Sequence, residues 1–170
     1  MKIRTDYVTN SSSSSFILAF ETYKDYDNFR EECQWLDYDQ LSDMVDKSIK
    51  DKAQSYHIRN AKDLLWHLFR CKKYDNEIIL EKFNFDPEDA NNHYNEIYEF
   101  RKSNEYKEIL NKKLQHDEEY QEKLSRINNA AIVVAMEIWD TNGGILEWAI
   151  RNGFLNKEFS EYLVLCQNVG

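Results

Sequence analysis

Helix breakers are nearly missing from this chain. One proline, Pro87, stands among 170 residues, and the three glycines before the terminal Gly170 all lie between 143 and 153. Proline and glycine are the residues that most often interrupt helices, so a chain this poor in both until its last quarter reads as helix-rich. Cysteine is scarce as well. Cys33, Cys71 and Cys166 are an odd number at wide spacing, and none belongs to the C-x-x-C pairs used by redox and zinc sites. A reducing cytosol suits such a set, and a chain of this length needs no disulfide staple. Long apolar runs are absent too: the longest, Ala130 to Met136, is too short to span a bilayer, and Met1 to Asp6 contains no apolar stretch of signal-peptide length. The expected location is the cytoplasm.

Positive charge is in short supply. With 22 basic and 31 acidic residues the net charge is -9, which opposes attraction to DNA, RNA or anionic lipid. Neither direct nucleic-acid binding nor membrane association is expected. Ring area, by contrast, is plentiful: eleven Tyr, nine Phe and four Trp give an aromatic fraction of 14%, too high for a disordered chain. A length of 170 residues suffices to bury about two-thirds of the unfolded surface, so one folded domain over residues 1–170 is expected.

Apolar spacing divides that domain into sheet-forming ends, 1–20 and 130–170, around a helical block, 21–128. Ser11 to Ser15 reads as a loop, and the apolar run Phe16 to Phe20 as a strand. Tyr26, Phe29, Cys33 and Leu36 fall on one helix face, and Leu41, Met44, Val45 and Ile49 on another. Asn60 is positioned to cap a third helix reaching Lys73, with Leu64, Leu65, Leu68 and Phe69 inward. Asp86 followed by Pro87 marks a helix start, since proline at the first helical position sacrifices no hydrogen bond; that helix is expected to bury Ala90, Tyr94, Ile97 and Tyr98. Ser103 and Asp117 are placed to open two more. The β-branched run Ala131 to Trp139 reads as a central strand covered on both faces, although periodicity alone leaves a buried helix open. Asp140 to Gly144 then reads as a turn, Ile145 to Ile150 as a short helix, and Tyr162 to Cys166 as a third strand. The expected fold class is therefore α+β: a helix-rich domain with a small, about three-stranded sheet built from the N- and C-terminal regions.

The opening Lys2-Ile3-Arg4-Thr5-Asp6-Tyr7-Val8-Thr9-Asn10, continuing through Ser11 to Ser15 into Phe16-Ile17, resembles a beginning shared by many uncharacterised proteins of Gram-positive bacteria and their phages. The resemblance covers roughly the first twenty residues and implies a bacterial or mobile-element origin. It carries no activity.

Charge is organised in blocks. Residues 74–100 hold eight carboxylates against Lys82 alone, a net of -7, and residues 21–51 hold ten against four bases, a net of -6. Between them, residues 52–73 carry six bases against Asp63, a net of +5. One reading is that the acidic helices keep the protein in solution while the basic island pairs with them. The sharper reading is a decoy. Carboxylates at Asp75, Glu77, Glu81, Glu88, Asp89, Glu96 and Glu99, regularly placed on a stiff helical surface, can imitate a phosphate backbone and occupy the Lys/Arg groove of a nucleic-acid-processing protein, such as a CRISPR-type defence effector. Tyr74, Tyr94, Tyr98 and Tyr106 lie among them, and tyrosines are common interface anchors. For Tyr94 and Tyr98 the core spacing favours burial.

Other features suggest less. The basic helix Asn60 to Lys73 combines a cationic face with Trp66, Leu and Phe, as membrane-surface helices do, but it reads first as an amphipathic core helix. His67 and Cys71 share a helix face and could supply half a zinc site; the other half is missing, and no metal or cofactor is expected. The serine run lacks the G-x-S-x-G elbow of a nucleophilic serine. Asp140 to Gly144 is the most enzyme-like stretch, a carboxylate at a strand end followed by a Gly-Gly turn into a helix N-terminus. A small hydrolase or transferase using Asp140, Asn142 and Gly143, with Glu137 on the preceding strand, is thus the alternative to a non-enzymatic inhibitor of a basic partner.

Overall fold

A computed structural model of the chain describes residues 13–35, 39–84, 93–139 and 161–169. Its elements run in the order β1 (Ser13–Phe20), α1 (Tyr23–Trp35), α2 (Asp39–Asp51), α3 (Gln54–Phe69), a π-helical turn (Arg70–Tyr74), α4 (Asp75–Phe83), α5 (Tyr94–Lys102), α6 (Asn104–Gln115), α7 (Glu118–Asn129), β2 (Ile132–Trp139) and β3 (Leu163–Val169). The fold is helix-rich α+β, with a three-stranded antiparallel sheet made from the N- and C-terminal regions. Contacts divide the chain into two compact units, Met1–Ala61 with Arg126–Gly170, and Lys62–Ser125.

In the first unit the strand order is β2-β1-β3, so β1 is central and β2 lies at an edge, not at the centre as its composition suggests. β1 pairs with β2 along its whole length, from Ser13 opposite Trp139 to Phe20 opposite Ile132, and with β3 from Ser13 opposite Val169 to Leu18 opposite Leu163, with a register shift between Ile17 and Leu18. The strand therefore begins inside the serine run. Main-chain pairing on both sides decides the conformation of Ser13 to Ser15, whatever serine's preference for loops, and Ser15 is buried.

Side chains alternate across the sheet. Phe16, Leu18 and Phe20 of β1 and Ile132 and Val134 of β2 form one face, against which Phe29 and Cys33 of α1 and Leu41 and Val45 of α2 pack, all buried. Phe20 is the hub of the rings there, with centroids 5.2 Å from Tyr26, 5.3 Å from Phe29 and 5.2 Å from Tyr162. Thr22 and Asp25 exchange hydrogen bonds across the first turn of α1, a reciprocal cap that fixes where the helix starts. Burial in this core pushes the Cys33 thiol up to about 12, with the nearby carboxylate of Glu32 adding to the effect.

The outer edge of β2 is sealed by side chains. The amide of Val133 donates to Gln54 Oε1 at 2.9 Å, and the amide of Ala135 to His57 Nδ1 at 3.3 Å. With Nδ1 accepting, His57 carries its hydrogen on Nε2 and donates to the Ser48 carbonyl at 3.0 Å. An exposed strand edge invites pairing with other chains, so these contacts explain how an edge strand can be apolar on both faces. They also explain why α3 starts at Gln54, two turns before the expected cap Asn60, which lies inside the helix.

In the second unit Ser103 and Asp117 open their helices as expected: Ser103 Oγ accepts from the Tyr106 amide at 3.1 Å, and Asp117 Oδ1 from that of Tyr120 at 2.9 Å. α4 ends on Asn84 in the left-handed region at φ 51°, where its amide returns to the Leu80 carbonyl at 2.9 Å. Leu65, Phe69, Ile78, Ile97, Phe100, Leu110 and Leu114 are buried, and rings meet edge-on at Phe83–Phe100 and Phe69–Tyr120. The expected helix start at Asp86-Pro87, the turn Asp140 to Gly144 and the helix Ile145 to Ile150 lie outside the described residues.

Removing the imidazole in His57→Ala leaves a buried amide and a carbonyl without partners. Urea unfolding is expected to show a loss of about 1–3 kcal/mol. Stability within about 0.5 kcal/mol of the parent would show that the edge does not depend on this contact.

Candidate functional site

The carboxylates of residues 75–99 separate by burial into two kinds. Asp75, at the start of α4, is only 13% exposed and is bonded on several sides. Arg101 of α5 donates Nε at 3.1 Å and Nη2 at 2.5 Å, Tyr106 of α6 donates its hydroxyl at 2.6 Å, and Arg70 stands 3.8 Å away. The π-helical turn contributes here: the Asp75 amide bonds back to the Arg70 carbonyl, which brings both residues to one junction. Burial would raise the Asp75 carboxyl, but the hydrogen bonds from Arg101 and Tyr106 and the charges of both arginines outweigh it and hold the group below its ordinary 3.8. Burial and the Asp75 hydrogen bond together push the Tyr106 phenol up to about 12. This carboxylate is committed internally.

The remaining carboxylates described in this stretch are exposed. Glu77 and Glu81, one turn apart on α4, both meet Lys113 of α6, at 2.9 and 3.2 Å. They edge an open groove of about 560 Å³ whose apolar lining comes from Tyr74 and Ile109. On α5, Glu99 pairs with Lys102 at 3.3 Å, and Glu96 is hydrogen-bonded to His93 at 3.1 Å. Glu88 and Asp89 lie outside the described residues. Exposed pairs of this sort contribute 0 to about 1 kcal/mol each, so an incoming guanidinium can displace them at little cost.

The basic island meets the acidic block through Arg70, beside Asp75 at 3.8 Å, and not at the exposed carboxylates. Lys73 goes instead to Asp117, at 2.5 Å, beside a second hydrogen bond from Tyr74. Among the described residues Lys62 and Lys72 form no ion pair. The cations that pair with the exposed carboxylates, Lys113 and Lys102, come from later in the chain.

The main departure from expectation concerns the tyrosines. Tyr94 is 63% exposed and Tyr98 45%, where core spacing had them inward. Their rings stack, 6.1 Å apart and 11° from parallel, and Lys102 Nζ sits 3.7 Å above the Tyr98 centroid. The buried stripe of α5 is Ile97 and Phe100, with Arg101 turned toward Asp75. A cue was available in the sequence: Ile97 and Phe100 also stand at helical spacing and lack a hydroxyl that needs solvent or a partner.

His67 and Cys71 are both exposed, and no group of three His, Cys, Asp or Glu side chains converges among the described residues. Asp140, Asn142 and Gly143 lie outside the described residues, as does the side chain of Glu137. No helix among the described residues is long and apolar enough to cross a membrane. No protein-family model, curated protein or solved structure matches the chain.

A depressed carboxyl contributes stability that is complete above its unfolded value and is lost as pH falls through the lower folded value. Asp75 and Asp117 are both lowered, so the protein is expected to lose stability as pH drops below about 4. Asp75→Asn, which strands two arginines, is expected to cost about 2–4 kcal/mol at neutral pH and to flatten the acid limb in thermal melts. An acid limb of unchanged steepness would assign the dependence elsewhere.

Proposed function

We propose that this is a non-enzymatic, acidic interaction protein that captures a basic partner on the exposed faces of α4 and α5. The observation that carries the reading is the exposed, stacked Tyr94–Tyr98 pair with Glu96 and Glu99 on the same short helix. Two rigid rings beside carboxylates held only by exposed ion pairs are suited to arginine and lysine: the rings offer cation-π faces, and the carboxylates offer bidentate acceptors. Lys102 over the Tyr98 ring is an intramolecular contact of the same kind and supports the reading that these rings accept cations. Glu77 and Glu81 extend the acidic surface along α4.

The partner class with matching chemistry is a nucleic-acid-processing protein, whose Lys/Arg groove ordinarily holds phosphates; occupation of that groove would inhibit it. A CRISPR-type defence effector is one such protein, and the resemblance of the opening residues to proteins of Gram-positive bacteria and their phages supports that setting. The free thiols Cys33 and Cys71 suit a reducing compartment such as the cytoplasm.

The test is capture from a host lysate at about 50 and about 500 mM salt, a range over which surface electrostatics are screened, followed by affinity measurement on the captured protein. A basic, nucleic-acid-binding protein should be retained at low salt and released at high salt. Replacing Tyr94 and Tyr98 by Ala, or Glu96 and Glu99 by Lys, should weaken it at least about tenfold with the fold unchanged. Retention that ignores both salt and these substitutions would overturn the proposal.

A further inference from the structure

We infer a second docking surface, on the outer face of α1, for a lysine- or arginine-rich segment of a partner protein. Trp35 is 89% exposed and Tyr23 70% exposed, the largest exposures among the large hydrophobic side chains described. They stand at the two ends of α1, and the residues one turn apart between them are Asp27 and Glu31, both exposed. At 1.5 Å per residue the row Tyr23, Asp27, Glu31, Trp35 extends about 18 Å along one side of the helix. The opposite side buries Phe29 and Cys33 against the sheet, which fixes the outward direction of the row.

These carboxylates differ from those of α4 and α5. Among the described residues neither Asp27 nor Glu31 has a cation within ion-pair distance. Arg30 is committed to Asp46 of α2 at 3.2 Å and lies over the Tyr26 ring, and Lys24 is exposed without an ion pair to either acid. Asp25 is engaged by Thr22. The surrounding segment, residues 21–51, carries ten acids against four bases.

That charge selects the occupant. A second copy of this chain would bring a like-charged face, and an anionic lipid surface or a nucleic acid would bring phosphates, so each is repelled. A cationic peptide meets two unpaired carboxylates flanked by rings able to stack on guanidinium or ammonium groups, with Trp the strongest of the cation-π partners. Exposed Trp and Tyr beside acids are also the residue types that dominate binding energy at interfaces.

The test uses the full chain and a fluorescein-labelled oligoarginine peptide, with binding followed by anisotropy. In a background where the α5 surface is already disabled by Tyr98→Ala, Glu96→Gln and Glu99→Gln, peptide binding should persist. Adding Trp35→Ala and Tyr23→Ser should weaken it about tenfold, and Asp27→Asn with Glu31→Gln should weaken it and reduce its salt dependence. All four positions are exposed, and circular dichroism checks that the fold is retained. Loss of all binding in the α5 background alone would overturn the second surface while leaving the first. Residual binding untouched by either α1 variant would also overturn it. Self-association, or binding to anionic vesicles, abolished by Trp35→Ala without any effect on the peptide would assign the face to a different occupant.

Discussion

A single carboxylate joins the helices that carry the proposed surface. Asp75 sits where α4, α5 and α6 meet, and its bonds to Arg101 and Tyr106 tie the three helices together. Arg101 follows the buried stripe of Ile97 and Phe100 and extends its long side chain to Asp75, while Tyr94 and Tyr98 are turned to solvent. An apolar residue in place of Asp75 would leave Arg101 and Tyr106 without their shared acceptor.

The same physics distinguishes carboxylates that hold the fold from those free to bind. A buried ion pair is costly to break because each charge left behind has lost its solvent. An exposed pair is close to neutral, because water and salt replace the partner readily. Asp75 and Asp117 belong to the first kind, and Glu77, Glu81, Glu96 and Glu99 to the second. Lys113 and Lys102 reduce the local field without occupying the acceptors permanently. A partner richer in arginine than these single lysines would form more hydrogen bonds to each carboxylate, so specificity for guanidinium over ammonium would follow from geometry.

Much of the architecture could be read from spacing. The strand runs 16–20 and 132–139, the inward faces of α1 and α2, and the capping roles of Ser103 and Asp117 all follow from local patterns that the packing respects. What could not be read depends on distant partners. Ser13 to Ser15 are extended because two strands flank them, and β2 is an edge strand whose amides are met by Gln54 and His57 from almost 80 residues away. No window of the sequence contains either fact. The tyrosines differ from expectation because Tyr94, Ile97 and Tyr98 form as plausible a stripe by spacing as Ile97 and Phe100, and only the packing of α5 selects the second. The acidic block itself was visible in composition, but which of its members are committed to the fold was not.

Hydrogen exchange of the full chain with and without an oligoarginine peptide tests the central claim most directly, because it locates the contact without altering the protein. Added protection across Tyr94–Lys102 is expected at low salt and should disappear as salt is raised. Exchange across that helix unchanged by saturating peptide would contradict it.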